Sequence, residues 1–256
     1  MPEPPSTTPR LGASRPRGPR RVGHKGAEHI EPGNTLASFD AALRHGVDMI
    51  ELDVLSERSD GSGALRVAHD FEDMRTREPL HFEEALDHLA GERFAAMELD
   101  VDVKLPGYEL RVVEALRERG LIERTLVSGM YADALARIRA AEPALRLGLS
   151  VPRVRRDYTT DMLTAIPALA ILTGYRALLP RRALEGLRAG RFDAIMAHWR
   201  VVTPALVRRV REGGGELYVW TVDDAQRIAR LTALGVDGII TNDPRLFESP
   251  EVLAAT

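Results

Sequence analysis

The chain contains no cysteine, which excludes disulfides, thiolate chemistry and zinc sites of the cysteine type, and fits a reducing compartment. It also lacks a strong charge of either sign. Its 35 basic and 38 acidic residues leave a net charge of −3, so no broad nucleic-acid footprint is expected. No long apolar run is present. The longest uncharged stretch, Met162 to Tyr175, is interrupted by Pro167 and Gly174 and falls short of the roughly 20 apolar residues that span a bilayer. Residues 1–20 are rich in Pro, Arg, Ser and Thr without an apolar core, so they read as a disordered basic tail and not a signal peptide. A soluble, cytoplasmic protein without nucleic-acid partner or stable membrane insertion is expected. Its oligomeric state is open.

What is present is ordinary in amount, 44% apolar and 29% charged, but ordered along the chain. Short β-type runs alternate with helical patterns over residues 21–256. The runs are Arg21–His24, Asp48–Val54, Leu99–Lys104, Thr125–Ser128, Leu147–Val151, Ala194–His198, Leu217–Thr221 and Asp237–Thr241. Helical spacing covers Asn34–His45, Tyr108–Glu118, Ala132–Ala141, Pro204–Glu212 and Asp224–Leu234, with Gly46, Gly120, Gly213 and Gly235 as stops. Alternating βαβα predicts a parallel sheet with helices outside, and eight strands predict a closed (β/α)8 TIM barrel in a single domain. Leu65–His69 follows the second strand across a turn with Asp60-Gly61 and Gly63, too short for a parallel crossover, so it is expected to form a β-hairpin excursion. The segment 153–191 is a longer connection, expected to hold extra helix. Its aliphatic part, 162–179, is expected to pack on the barrel, with transient membrane contact as the competing reading.

The chemistry-bearing residues fall where such a barrel would collect them. Active groups sit at the C-terminal ends of barrel strands, and His24, Asp53, Lys104, Ser128, His198 and Trp220 all lie there. Glu51 and Asp53 are two apart on one strand, so their side chains share a face. In Leu99–Lys104, the apolar residues Leu99, Val101 and Val103 alternate with Asp100, Asp102 and Lys104. A polar face turned into a barrel is unfavourable unless paired or metal-bound. Glu51, Asp53 and Asp102 form an all-oxygen set suited to one divalent cation, Mg²⁺ or Ca²⁺. Lys25 and Lys104 add positive charge beside them, as an anionic phosphate requires. His24 and His69 suit a general base and a general acid. Asp100 points the same way one layer deeper and is expected to hold a ligand or lysine in place.

The runs Gly23-His24-Lys25-Gly26, Pro32-Gly33-Asn34-Thr35, Glu51-Leu52-Asp53-Val54 and His69-Asp70 resemble the glycerophosphodiester phosphodiesterase family. So do Asp102-Val103-Lys104, Trp220-Thr221-Val222-Asp223 and Gly235 through Thr241, in the same order. The resemblance implies a barrel that hydrolyses a phosphodiester to glycerol 3-phosphate and an alcohol. It implies His24 and His69 as the acid/base pair and Glu51, Asp53 and Asp102 as ligands of one cation. Lys25 and Lys104 would contact the phosphate of a small-molecule or lysolipid substrate, Trp220 would line its pocket, and Ser128 and His198 are further substrate-contact candidates. Three positions depart from the family's usual pattern: Lys25 for arginine, Gly33 for an acid, and Asp102 for glutamate. Two other readings compete: a sphingomyelinase D-type lyase that leaves a cyclic phosphate, and a silent barrel that only binds phosphodiesters.

Overall fold

Strand after strand alternates apolar residues with polar or small ones, and the structure shows why. One face packs on helices and the other on the opposite wall of a barrel. The structure, a computed structural model, describes residues 18–153 and 165–255. In chain order its elements are β1 (Arg20–Gly23), α1 (Leu36–Arg44), β2 (Met49–Ser56), β3 (Leu65–Arg66), α2 (Phe71–Thr76), α3 (Phe82–Leu89), β4 (Glu98–Val103), α4 (Glu109–Glu118), β5 (Thr125–Gly129), α5 (Ala132–Ala141), β6 (Arg146–Val151), α6 (Ala165–Arg188), β7 (Ala194–His198), α7 (Pro204–Glu212), β8 (Glu216–Trp220), α8 (Ala225–Leu234), β9 (Gly238–Thr241) and α9 (Pro250–Leu253). The sheet runs β1-β9-β8-β7-β6-β5-β4-β2, all parallel, and β1 pairs again with β2 to close it. The eight barrel strands are those expected from the sequence, within a residue or two at their ends. This is a (β/α)8 barrel.

The outer faces carry the larger core. Ile50, Leu52 and Val54 of β2 and Leu99, Val101 and Val103 of β4 are buried against the helices with Phe39, Leu86, Val112 and Leu135. Each such side chain contributes roughly 1.5–3 kcal/mol by leaving water. The inside is filled in layers. Val22, Met49, Leu126, Ala194, Met196, Tyr218 and Ile240 form a separate inner cluster. Tyr218 is accommodated by Gly238, where an added Cβ would lie 2.2 Å from the tyrosine ring. At the N-terminal end of the barrel, Arg20, Glu98, Arg146 and Glu216 from four alternate strands make a ring of ion pairs. Arg20 Nη1 meets Glu216 Oε1 at 2.7 Å and Arg146 Nη2 meets Glu98 Oε2 at 2.6 Å.

Helix ends follow local chemistry. Thr35 and Ser38 form a reciprocal capping box at α1, Asp70 accepts from the backbone of Glu72 and Asp73 at α2, and α8 stops at Gly235 with φ +84°. After α7 the left-handed residue is Gly214, one past the expected Gly213, which is the right-handed cap.

Two segments differ from the sequence expectation. The antiparallel excursion exists, with Leu55 opposite Arg66 and Ser56 opposite Leu65, but β3 ends at Arg66 and does not reach His69. Val67 bonds instead to Leu80, and Asp70 starts α2, so His69 stands just before a helix. Helix α3 was not expected, although Phe82, Ala85, Leu86 and Leu89 are its buried face at helical spacing. The connection 153–191 contains α6, which packs along α7. Residues 1–17 of the expected tail and 162–164 of the aliphatic stretch lie outside the described residues. Among the described residues no helix is long and apolar enough to cross a membrane.

Candidate active site

The loop from β1 to α1 is folded back over the barrel mouth by two residues with positive φ, Lys25 at +49° and Asn34 at +59°. Gly26 allows the turn, because a Cβ there would come within 2.6 Å of the Ser38 backbone. The result anchors both carboxylates of β2. The Lys25 backbone N–H donates to Glu51 Oε2 at 2.8 Å. Asn34 Nδ2 donates to Asp53 Oδ2 at 2.8 Å, and its Oδ1 accepts from the Asp53 backbone N–H at 3.2 Å.

Glu51, Asp53 and Asp102 converge as expected: one oxygen from each lies within 4.8 Å of the others, and Glu51 and Asp53 are buried. Asp53 and Asp102 are register partners on β2 and β4, which is what brings them together. Lys104 Nζ sits between them, 2.6 Å from Asp53 Oδ1 and 2.7 Å from Asp102 Oδ2. Burial works to raise the Asp53 carboxyl, but Lys104 overrides it and holds this group well below its ordinary range. Glu51 is pushed the other way, by burial and by the neighbouring Asp53 charge. Burial opposes the Lys104 ammonium, yet Asp102 and Asp53 raise it well above its usual value. Three carboxyl groups, two of them buried, thus converge beside a single ammonium, an excess of acids over lysine. Three converging oxygen donors with that excess fit a hard divalent cation.

His24 lies against Glu51, with Nε2 at 3.8 Å from Glu51 Oε2. Its Nδ1 bonds Asn242 Oδ1, and the Asn242 amide in turn donates to Asp223 Oδ2 at 2.7 Å. That second bond fixes which end of the amide faces the imidazole, so Nδ1 donates to the Asn242 oxygen while Nε2 faces Glu51. Burial alone would lower the imidazole. The Glu51 charge and a hydrogen bond with Glu28 outweigh it and bring His24 up to about 9. His69 is half exposed, with Nδ1 3.0 Å from Asp70 Oδ2, so it too is oriented by a carboxylate through Nδ1.

The remaining candidates separate. Lys25 reaches Glu28 at 3.0 Å and lines a cleft of about 350 Å³ beside the mouth, together with Gly33, Asn34 and His69. Trp220 and His198 line the main cavity, their rings edge-on with centroids 5.1 Å apart, and the Trp220 indole donates to the Met196 carbonyl at 2.8 Å. Ser128 is buried below the mouth and hydrogen-bonds Asp100; Ser150, not Ser128, borders the cavity. Asp100 is itself buried, and burial followed by the Asp102 charge pushes it up to about 7. Away from the site, His88 bonds Asp40 at 2.8 Å and tilts against Phe94.

Sequence reasoning passed over Asn242, Asp223, Asn34 and Glu28 as site residues. Asn242 directly follows the last strand, so the strand-end rule that selected His198 and Trp220 would have found it. A second signal was available in composition. Lys25 and Lys104 are the only lysines in the chain, and both are at the site.

A barrel of this kind, with acids, histidines and lysines at one mouth, belongs to the class of phosphoric diester hydrolases. The model of the glycerophosphoryl diester phosphodiesterase family matches residues 24–78 and 82–246. A glycerophosphodiester phosphodiesterase of Caldanaerobacter subterraneus is 26% identical, with 87% of this chain and 93% of that protein covered. One from Arabidopsis thaliana is 28% identical, over 88% of this chain and 71% of its own length. Among solved structures, a glycerophosphodiester phosphodiesterase from Parabacteroides distasonis superposes with a TM-score of 0.71 at 16% identity, covering 93% of this chain and 98% of that one. An Oleispira antarctica phosphodiesterase in complex with the product sn-glycerol-3-phosphate has a TM-score of 0.67 at 17% identity, covering 93% and 96%. The chain belongs to the glycerophosphoryl diester phosphodiesterase family.

Proposed function

We propose that this enzyme hydrolyses glycerophosphodiesters to glycerol 3-phosphate and an alcohol, using one divalent cation and the pair His24 and His69. The observation that carries this reading is the convergence of Glu51, Asp53 and Asp102, with His24 oriented through Nδ1 beside them. These three residues would hold the cation, which supplies charge stabilisation for the phosphoryl oxygens when bound. Lys104, already fixed between two carboxylates, and Lys25 on the rim present ammonium groups to the same anion. Such fixed charge acts in the transition state without reorganisation. With Nδ1 of each histidine bonded to an acceptor, Nε2 of one takes a proton from the attacking oxygen. Nε2 of the other gives one to the leaving alkoxide. Trp220 and His198 form the wall against which the substrate body rests. A chain without cysteine suits the reducing cytoplasm as the place of action.

Phosphorus NMR of glycerophosphocholine incubated with the protein and Mg²⁺ or Ca²⁺ tests this. A monoester product is expected, lost on chelation and restored by cation. His24→Ala and His69→Ala should each reduce turnover by roughly 10²–10⁴-fold. A cyclic phosphate that persists would replace hydrolysis by a lyase reaction, and activity retained in either variant would remove that histidine from the mechanism.

A further inference from the structure

Resting on the hydrolase reading above, we propose that Glu28 is a positioning residue, whose carboxylate holds the Lys25 ammonium ready for the phosphate over a niche left open by Gly33. Two of the chain's departures from the family's usual pattern, Lys25 for arginine and Gly33 for an acid, meet at this one place. Residues 27–31 form a turn in which the backbone N–H groups of Ile30 and Glu31 both donate to the carbonyl of the buried Ala27. The turn brings Glu28 back against the start of the loop. Lys25 Nζ donates to Glu28 Oε1 at 3.0 Å, and Glu28 Oε2 lies 3.5 Å from His24 Nδ1. Gly33 is the floor under the pair. A Cβ built there would lie 3.0 Å from Lys25 Cβ and 3.2 Å from both Lys25 Cδ and Glu28 Cγ. A side chain at position 33 would compete for the space that Lys25 and Glu28 fill. The acid missing at 33 is thus supplied from 28.

A lysine–glutamate pair three residues apart on an open surface contributes little. This pair differs in two respects. The Lys25 side chain is only 17% exposed, and its charge acts on both the Asp53 carboxyl and the His24 imidazole. The need for an anchor follows from the residue type. Arginine is a planar fork that meets a phosphate with two parallel bonds, whereas lysine is a point charge on a flexible four-carbon stem. A free stem must be ordered when the substrate arrives, and that ordering opposes binding and reaction. The main chain of Lys25 is already fixed. Its N–H donates to Glu51 Oε2, and its carbonyl accepts from the Asn34 N–H at 2.9 Å and the Ser38 hydroxyl at 2.8 Å. Only the side chain is left to order, and Glu28 orders it. One of the three ammonium donors is used in doing so, which leaves two for phosphoryl oxygens.

Glu28→Gln keeps the shape of the side chain and removes its charge. On the full chain with divalent cation, kcat/KM for glycerophosphocholine should fall at least about fivefold in this variant. Its thermal midpoint should stay within about 3 °C of the parent, since the side chain is one-third exposed. The same change made in a Lys25→Met background should cost less than about twofold, because the group that Glu28 positions is gone. A merely structural role would cost the same in both backgrounds. A smaller loss in the first background, a loss of twofold or more in the second, or a collapsed midpoint overturns the proposal. If the parent turns over no glycerophosphodiester with any cation, the hydrolase reading fails. The role of Glu28 is then decided by calorimetric titration with glycerol 3-phosphate in the presence of divalent cation, as it is if Lys25→Met is inactive. Binding by the parent that weakens at least about fivefold in Glu28→Gln supports the proposal. A smaller change, or no binding by the parent, overturns it.

Discussion

Both ends of this barrel bury charge, and they do so in opposite ways. At the base, Arg20, Glu98, Arg146 and Glu216 alternate in sign around the ring, and every charge has a partner of the other sign. At the mouth, Glu51, Asp53, Asp100 and Asp102 face Lys104 and His24, so the carboxylates outnumber the cations. The base is a plug that needs nothing further. The mouth is a set of charges that is complete only when something positive is added, and then something negative. Strand β4 contributes to both ends, with Glu98 in the ring and Asp100 and Asp102 towards the mouth, and the sign balance distinguishes the two.

Asp102→Asn should separate the two ends most sharply. Turnover is expected to fall by at least about 10²-fold, as when one preorganised electrostatic contact is removed. Lys104 keeps Asp53 as its partner, so calorimetry of the metal-free protein should find the thermal midpoint within about 3 °C of the parent, the size of roughly 1 kcal/mol. A collapse of the midpoint would show that the mouth acids are structural.

Glu98→Ala should do the reverse. It strips Arg20 and Arg146 of a shared partner inside the barrel. Breaking a fully buried pair costs about 3–5 kcal/mol, and partial solvent access at the base reduces this to roughly 2 kcal/mol. Chemical denaturation reads the loss, and turnover by the folded fraction should not change.

The smallest effect concerns Asp100, which shows that the mouth's imbalance reaches one layer down. Its carboxyl is raised to about 7 in the folded chain. A raised carboxylate binds its proton more tightly in the folded than in the unfolded state. It therefore lowers stability progressively as pH rises from the unfolded value of about 4 towards 7. Asp100→Asn should flatten that part of the stability profile of the metal-free protein, a gain near pH 7 on the order of 1 kcal/mol or more. An unchanged pH profile would mean that Asp100 is already ionised and paired in the native state.

Most of the fold was legible because the barrel strands carry their own pattern. β4 writes apolar and acidic residues alternately, and both faces can be read from it. β2 is buried along its whole length, yet Glu51 and Asp53 mark its inner face. The excursion after β2 was legible from turn chemistry, but its end was not. Val67 and Asp70 leave the strand for partners at Leu80 and in α2, which only the fold supplies. α3 was legible and missed, since four apolar residues at helical spacing sit between Phe82 and Leu89. In the site, the acids and histidines announce themselves by type and position. The residues that orient them do not. Asn242 meets His24 across 218 positions of sequence, and Asn34 meets Asp53 across 19, contacts created by barrel closure and by a left-handed turn.

The two lysines have a practical consequence. In a chain whose other basic side chains are arginine and histidine, an amine-directed acylating reagent becomes directed at the mouth, apart from the terminal amine. Lys104 is locked as ammonium between Asp53 and Asp102, whereas Lys25 borders the open cleft. Mass spectrometry after mild acylation should therefore find Lys25 modified first and Lys104 spared. A single reactive handle would then report, without any engineered residue, whether the mouth is occupied.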